Sequence, residues 1–391
     1  MARARASAGR DNLLIVAGEA SGDLHGAHLL AELKRLGVDV ETWGVGGDRL
    51  IAEGLQPVAH SGDVGVVGLA EVLRELPKIR GVFHDLLKEA QARRPTGAVL
   101  IDFPDFNLRL AKQLKALGIP VVYYVSPQVW AWRRGRVRTI AERVDRMLTL
   151  FDFEVDFYRE HGVSAVHVGH PIVEEVPETL RAEPAAPRDD VPARIALLPG
   201  SRRSEVTRLL PVLLQATASL AQTRKVEAVL IEAPTVPRAL IEECLASYPT
   251  GQAKVVRRTE DRLAAVSECD LALCASGTAT LEIGLLEVPM IVVYRLASLT
   301  YAIAKRLVKV DHVALVNLVL GGRVAPELLQ GEAEPASIAA TADALLSDVG
   351  RRRAMQTRLA ELRTALGTPG ASQRAAREVI DAFPWREEDN A

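Results

Sequence analysis

Short β-branched runs alternate with helical patterns along nearly the whole chain, and this alternation constrains the fold more than any other feature. In the first half, candidate strands lie at Leu13–Ala17, Val38–Gly44, Ala98–Asp102, Val121–Val125, Arg146–Leu150 and Ala165–Val168. Helical patterns such as Leu24–Leu36 and Asn107–Leu117 separate them. A second series runs through Arg194–Leu198, Glu227–Glu232, Lys254–Arg257, Asp270–Cys274 and Met290–Tyr294. Parallel neighbours need a crossover long enough for a helix, so strand–helix repetition predicts parallel sheets. The tail from Pro335 to Phe383 carries helical patterns alone. Between the two series, 171–193 holds five prolines, which suit neither a helix nor a central strand. The expected fold class is α/β, with two Rossmann-like, doubly wound domains facing across a cleft. The boundaries read 1–170, a linker 171–193, 194–350, and C-terminal helices at 351–391 that are open to packing back on the first domain. Ligands of such sheets sit beyond the carboxyl ends of the strands.

At 391 residues the chain exceeds what one core usually organises. A net charge of −2 gives no global attraction for nucleic acid, so any electrostatic targeting is local. The three cysteines, Cys244, Cys269 and Cys274, have neither disulfide nor zinc spacing and read as small buried hydrophobes of a reducing compartment. Residues 1–10 are basic but no signal-type apolar run follows, and no stretch reaches the ~20 apolar residues of a membrane span. The expectation is a cytoplasmic protein that is still able to touch a membrane.

Chemistry concentrates in loops that follow strands. Pro199-Gly200-Ser201-Arg202 leads from a strand into a helix, where backbone N–H groups, the helix dipole and Arg202 suit a phosphate. A capped helix with a surface arginine has the same sequence. The small-residue loop Ser276-Gly277-Thr278 also follows a strand, and Glu282 is placed to accept the hydroxyls of a ribose. Its plainer alternative is a Ser276 N-cap followed by a solvated glutamate. In Gly18-Glu19-Ala20-Ser21-Gly22-Asp23 the two carboxylates suit sugar hydroxyls better than a diphosphate. Asp102 ends an apolar strand and is a candidate general base on an acceptor hydroxyl, with Asp105 or Asn107 read as the cap of the next helix.

Two segments look made for an interface or for the core. From Val64 to Phe83 the chain is unusually apolar; as a helix it sets Leu69 and Val72 on one side, and Pro77 should kink or end it. Trp130, Trp132 and Arg133 open a run with six arginines against Glu142 and Asp145 between residues 131 and 146. That run fits a solvated helix face or an anionic membrane surface.

Taken in order, these motifs closely resemble the lipid-A-disaccharide synthase family, glycosyltransferase family 19 of the GT-B fold. The likeness runs through AGEASGD (17–23), VVGLAEVL (66–73), IDFPDFN (101–107), YVSPQVWAWR (124–133), LLPGSR (197–202), ASGTATLE (275–282), AKRLVK (304–309), VALVNLVLGG (313–322) and PELLQ (326–330). The resemblance implies an inverting transfer of 2,3-diacylglucosamine from UDP-2,3-diacylglucosamine to the 6-hydroxyl of 2,3-diacylglucosamine 1-phosphate. It implies Asp102 as the base, Glu19 as an essential acid, and Arg202 on the diphosphate. Glu282 then falls on the ribose and Asn317 in the donor site, with Gly200, Ser201, Ser276, Gly277 and Thr278 around UDP. Val67, Leu69, Val72, Trp130, Trp132 and Arg133 become acceptor or membrane candidates at the inner face of the inner membrane. No cofactor or metal is implied. Val316 stands where the family pattern has proline. Rival readings are an enzyme resembling UDP-N-acetylglucosamine 2-epimerase and a non-catalytic nucleotide-sugar or lipid binder.

Overall fold

Every residue of β1 (Asn12–Ala17) is buried, as a strand covered by helices on both faces requires. The computed structural model describes residues 11–65, 69–130, 135–183, 191–295 and 311–385, with backbone alone for 69–74. Two compact units emerge: residues up to Pro171 together with those from Gly367 on, and Ile172–Leu366.

In the first unit the other strands are β2 (Glu41–Gly46), β3 (Gln56–His60), β4 (Gly97–Ile101), β5 (Val121–Tyr124), β6 (Arg146–Thr149) and β7 (Ala165–His167). In the second they are β8 (Ala193–Leu198), β9 (Val226–Ile231), β10 (Lys254–Arg258), β11 (Leu271–Ala275), β12 (Met290–Tyr294) and β13 (Glu327–Leu329). Among the described residues the sheet orders are β3-β2-β1-β4-β5-β6-β7 and β10-β9-β8-β11-β12-β13, every pairing parallel. Each order reverses once, between β1 and β4 and between β8 and β11. Connections leave those neighbouring strands in opposite directions, opening a crevice at their carboxyl ends.

The first unit's helices are α1 (Ala20–Arg35), α2 (Asp48–Ala52), α3 (Leu69–Arg93), α4 (Pro104–Ala116), α5 (Arg136–Arg143) and α6 (Asp152–Glu160). The second holds α7 (Ile172–Glu175), α8 (Arg203–Leu220), α9 (Arg238–Ser247), α10 (Arg262–Ser267), α11 (Ala279–Leu285), α12 (Leu315–Val319), α13 (Pro335–Ser347), α14 (Val349–Ala360) and α15 (Leu362–Ala365). The last, α16 (Ala371–Ala382), belongs to the first unit.

Several expectations change. Strands β3 and β13 were not expected from the sequence; both are short, partly exposed edge strands without an apolar run, and β3 carries Pro57, which an edge tolerates. Strand β2 begins at Glu41 rather than Val38. Helix α3 continues through Pro77 to Arg93, because Val82, Leu86 and Ala90 bury in the core and Ile79, Phe83 and Leu87 pack against it. That packing outweighs one missing backbone hydrogen bond. Val67 lies outside the described residues, as do the side chains of Leu69 and Val72.

The described part of the presumed linker is pinned to the second unit. Arg363 donates to the carbonyls of Val173 and Val176 (3.0 and 2.9 Å), and Gln356 donates to that of Glu183 (3.1 Å). The chain returns to the first unit after Leu366 rather than at 351. There Arg374 donates to the carbonyl of Val168 (2.8 Å), Glu378 pairs with Arg146, and the buried Phe383 ring lies against Gly97 of β4.

If Phe383 clamps the returning helix, Phe383→Ala should lower stability to urea by about 3 kcal/mol. Phe383→Leu should recover most of the loss. An alanine variant within about 0.5 kcal/mol of the parent would mean that the contact contributes little.

Candidate functional site

In the second unit, Gly200 follows β8 at φ +110, a conformation that favours glycine. A Cβ there would also lie 2.4 Å from Glu205 Oε2, so the loop closes tightly on that carboxylate. Glu205 accepts from the backbone N–H groups of Ser201 (3.1 Å) and Arg202 (3.3 Å) and meets the Arg202 guanidinium at 3.5 Å. The N–H groups expected to be free for a phosphate are therefore held by an internal carboxylate. An anion that took those two N–H groups would have to displace the Glu205 carboxylate.

After β11, Ser276 donates to the carbonyl of Val313 (3.1 Å) rather than capping a helix; the N-cap position of α11 is Thr278. The carboxylate of Glu282, in the first turn, accepts no hydrogen bond from the described residues. Burial raises its pKa, Arg262 opposes the rise, and Glu175 adds to it. Gly200, Ser201, Arg202, Ser276, Gly277, Thr278 and Glu282 all line one cavity of about 310 Å³. Arg262 and Glu205 line it too. Neither was singled out from the sequence; Arg262 opens a helix in a charged stretch where nothing marks one arginine from its neighbours.

Asn317 does not line this cavity. Fully buried, it donates from Nδ2 to the carbonyl of Ala325 and to Glu327 Oε1 (2.8 Å each), and Oδ1 accepts from the N–H of Ala325 (2.8 Å). Glu327 also accepts from the N–H groups of Val313 and Ala314 (2.9 and 3.1 Å). With its amide spent inside the loop, Asn317 builds the segment that Ser276 leans on and offers no side-chain donor to a ligand. The side chain of Val316, in the expected proline position, is buried.

In the first unit the β1 loop meets the β4 loop. A Cβ on Gly18 would lie 2.4 Å from the Phe103 ring, so glycine alone permits this approach. Asp102 and Phe103 both adopt left-handed backbone (φ 48° and 49°). For non-glycine residues this costs ~1–3 kcal/mol each, and surrounding bonds must enforce it. Asn107 Nδ2 donates to the carbonyls of Asp102 (2.8 Å) and Ile101 (3.2 Å), and the Tyr123 hydroxyl also donates to that of Asp102. Asn107 is thus a loop clamp. Asp105 is not the cap either: Phe103 holds that position, and Asp105 sits in the first turn of α4, paired with Arg136.

The half-buried Asp102 carboxyl is raised to about 6, first by burial and then by the charge of Glu19, against a lowering hydrogen bond from the Phe103 N–H. The charge of Glu19 thus reaches Asp102. Asp23 is not part of this pair. It accepts from the N–H groups of Gly47 (2.7 Å), Arg49 (3.2 Å) and Leu50 (3.1 Å), capping α2.

Trp130 is buried, and its Nε1–H donates to Glu154 (2.9 Å), so its ring is unavailable to a lipid surface. Ser126 (2.6 Å) and the N–H of Phe151 (3.3 Å) donate to the same carboxylate, and Tyr158 donates to the carbonyl of Pro127 (2.9 Å). Burial nevertheless pushes Glu154 up to about 7. Trp132 and Arg133 lie outside the described residues. Farther along the arginine run, Arg136, Arg143 and Arg146 engage Asp105, the carbonyl of Leu108 and Glu378. The three cysteines are free and buried. Among the described residues no group of three or more His, Cys, Asp or Glu could hold a metal ion, and no helix is long and apolar enough to cross a membrane.

The architecture has close counterparts among solved structures. MurG of Acinetobacter baumannii aligns with a TM-score of 0.61 at 14% identity, covering 95% of this chain and 100% of that one. A UDP-GlcNAc 2-epimerase from Neisseria meningitidis, bound to UDP-GlcNAc, aligns at 0.62 and 13%, with the same coverage. Identities this low speak for the fold alone: two parallel-sheet α/β units of the GT-B class. Sequence comparison narrows the class to a family. The lipid-A-disaccharide synthetase family model matches residues 13–380. Lipid-A-disaccharide synthases of Anaeromyxobacter dehalogenans and Myxococcus xanthus are 50% and 46% identical, each over 95% of this chain and 97% of the relative. The chain belongs to the lipid-A-disaccharide synthetase family, and it is a glycosyltransferase of lipid A biosynthesis.

Two outcomes follow from the side chains that turned out to be structural. Asn317→Ala strands buried partners and should cost about 3 kcal/mol in chemical denaturation, while KM for the nucleotide-sugar donor changes little among molecules that remain folded. A large KM change with unaltered stability would return the residue to the ligand. Glu154 has a folded pKa of about 7 against 4.5 for the free group, so the unfolded chain ionises first. The stability that protonated Glu154 contributes should therefore fall as pH rises from 4.5 to about 7 and then level, against the opposite trend from His25 and His170, which burial holds at about 4 and about 3. Glu154→Gln should remove that contribution, so the difference between parent and variant, measured by chemical denaturation across this pH range, isolates it from Asp102, His25 and His170.

Proposed function

We propose that this enzyme transfers 2,3-diacylglucosamine from UDP-2,3-diacylglucosamine to the 6-hydroxyl of 2,3-diacylglucosamine 1-phosphate. The products are the β-1,6-linked lipid A disaccharide 1-phosphate and UDP. The observation that carries the reading is a carboxyl at the end of β4, Asp102, held near pKa 6 beside Glu19 in a chain of this family. A base of that strength is mostly ionised at neutral pH yet basic enough to take a proton from a hydroxyl that is attacking carbon.

Asp102 removes the proton from the acceptor hydroxyl as its oxygen attacks the anomeric carbon of the donor. The bond to UDP breaks in the same displacement, so an α-linked donor gives a β-linked product without a covalent enzyme intermediate. Burial, and after it the charge of Glu19, keeps Asp102 basic. On the second unit, the cavity at β8 and β11 takes UDP, with Glu282 on the ribose and Arg202 on the diphosphate. Glu205 gives up the Ser201 and Arg202 N–H groups to the phosphate oxygens. Helix α8 and Arg202 together stabilise the leaving charge, so no metal is needed. The chain works at the inner face of the inner membrane. The apolar sequence 66–73 supports that location.

The deciding experiment is product analysis with that donor and acceptor. Formation of the disaccharide 1-phosphate with UDP release supports the reading. Conversion of UDP-N-acetylglucosamine to a manno-configured sugar, with the acylated donor ignored, would overturn it in favour of an epimerase.

Activity should also show an acid limb with an apparent pKa near 6. Glu19→Gln should move the limb to lower pH, because removing a neighbouring negative charge lets Asp102 ionise sooner. Asp102→Ala should abolish turnover and leave UDP affinity nearly intact, whereas Arg202→Ala should weaken UDP binding. Full activity in Asp102→Ala would remove the base.

A further inference from the structure

The second unit contains a groove of about 680 Å³ that shares no lining residue with the cavity at β8 and β11. It is lined from the segment leading into the edge strand β13 and from helices α13 and α14. Val324, Leu328 and Met355 give it an apolar surface, and three arginines, Arg323, Arg351 and Arg358, line it as well.

These guanidinium groups are positioned but scarcely neutralised. Arg323 Nη2 donates to the carbonyl of Glu327 (3.2 Å), and Arg358 Nη2 donates to that of Leu320 (3.1 Å). A carbonyl orients a guanidinium without cancelling its charge. Arg358 also meets Glu361 at 3.3 Å, but both side chains are about half exposed, so water screens the pair. The Arg351 side chain has no acceptor among the described residues. Nearby Asp348 accepts from the backbone N–H of Arg351 (2.9 Å) as the cap of α14.

Three forked donors beside an apolar surface select a particular ligand chemistry. Guanidinium matches phosphate oxygens in geometry and charge, and a volume of this size fits small-molecule sites. We propose that this groove binds a phosphate monoester carrying an apolar chain. The phosphate sits on the arginines, and the first carbons of the chain lie on Val324, Leu328 and Met355. The proposal does not depend on the reaction described above.

The test is calorimetric titration of the full chain with dihexanoyl phosphatidic acid below its micellar range. Inorganic phosphate and dihexanoyl phosphatidylcholine serve as parallel probes, and the protein carries Arg202→Ala to weaken the other arginine-lined cavity. Phosphatidic acid should bind one site, and R323Q/R351Q should weaken it about tenfold or more. Both substituted side chains are exposed, so the melting temperature should hold; R351Q alone, at a side chain without an acceptor, should weaken binding about threefold. Phosphatidylcholine and inorganic phosphate should each bind at least about tenfold more weakly than phosphatidic acid. Unchanged affinity in R323Q/R351Q overturns the site. Equal binding of inorganic phosphate removes the apolar chain from the proposal, and equal binding of phosphatidylcholine removes the phosphate monoester.

Discussion

Parallel strand pairing is the constraint on which the rest of this structure depends. A parallel neighbour is reached only by crossing over the sheet, and the crossing helices bury both faces. Strands such as Leu13–Val16 and Leu271–Cys274 consequently lose all contact with water. Chemistry is driven to the strand ends, and among those ends to the places where strand order reverses. Glu19 and Asp102 follow β1 and β4, while Arg202 and Glu282 follow β8 and β11. Each unit thus places its candidate site loops at its own switch point.

The two switch points solve one problem by different means, since each must present polar groups from loops whose backbone would otherwise relax. In the first unit, left-handed backbone at Asp102 and Phe103 is enforced by Asn107 and Tyr123 on a single carbonyl. In the second, the Ser201 and Arg202 N–H groups are gathered by Glu205, which keeps an anion-shaped loop intact. The acidic residues nearby divide accordingly. Asp23, Glu205 and Glu327 are absorbed by backbone N–H groups. Glu282 is not, Asp102 accepts from the Phe103 N–H alone, and burial raises both.

That division explains how much of the site was legible in the sequence. Loops after strands with small residues and a following helix were recognisable, and seven residues chosen that way line one cavity. Residues whose roles depend on long-range partners were misjudged. Asn317 looked like a ligand residue until Ala325 and Glu327 consumed its amide, and Trp130 looked like a surface aromatic until Glu154 buried it. Arg262 passed unnoticed because its neighbour Glu282 is twenty residues away in sequence.

By itself the sequence determined the α/β class, most central strands, the loops that line the cavity at β8 and β11, and the family. Those features rest on local patterns: apolar runs of strand length, helical periodicity, and glycine at tight turns. Only the tertiary structure decided the edge strands β3 and β13, the passage of α3 through Pro77, and the return of α16 to the first unit. It also decided which carboxylates remain free to act. The physical reason is common to all of these: each is set by packing or hydrogen bonding between residues far apart in the chain, which no local pattern records.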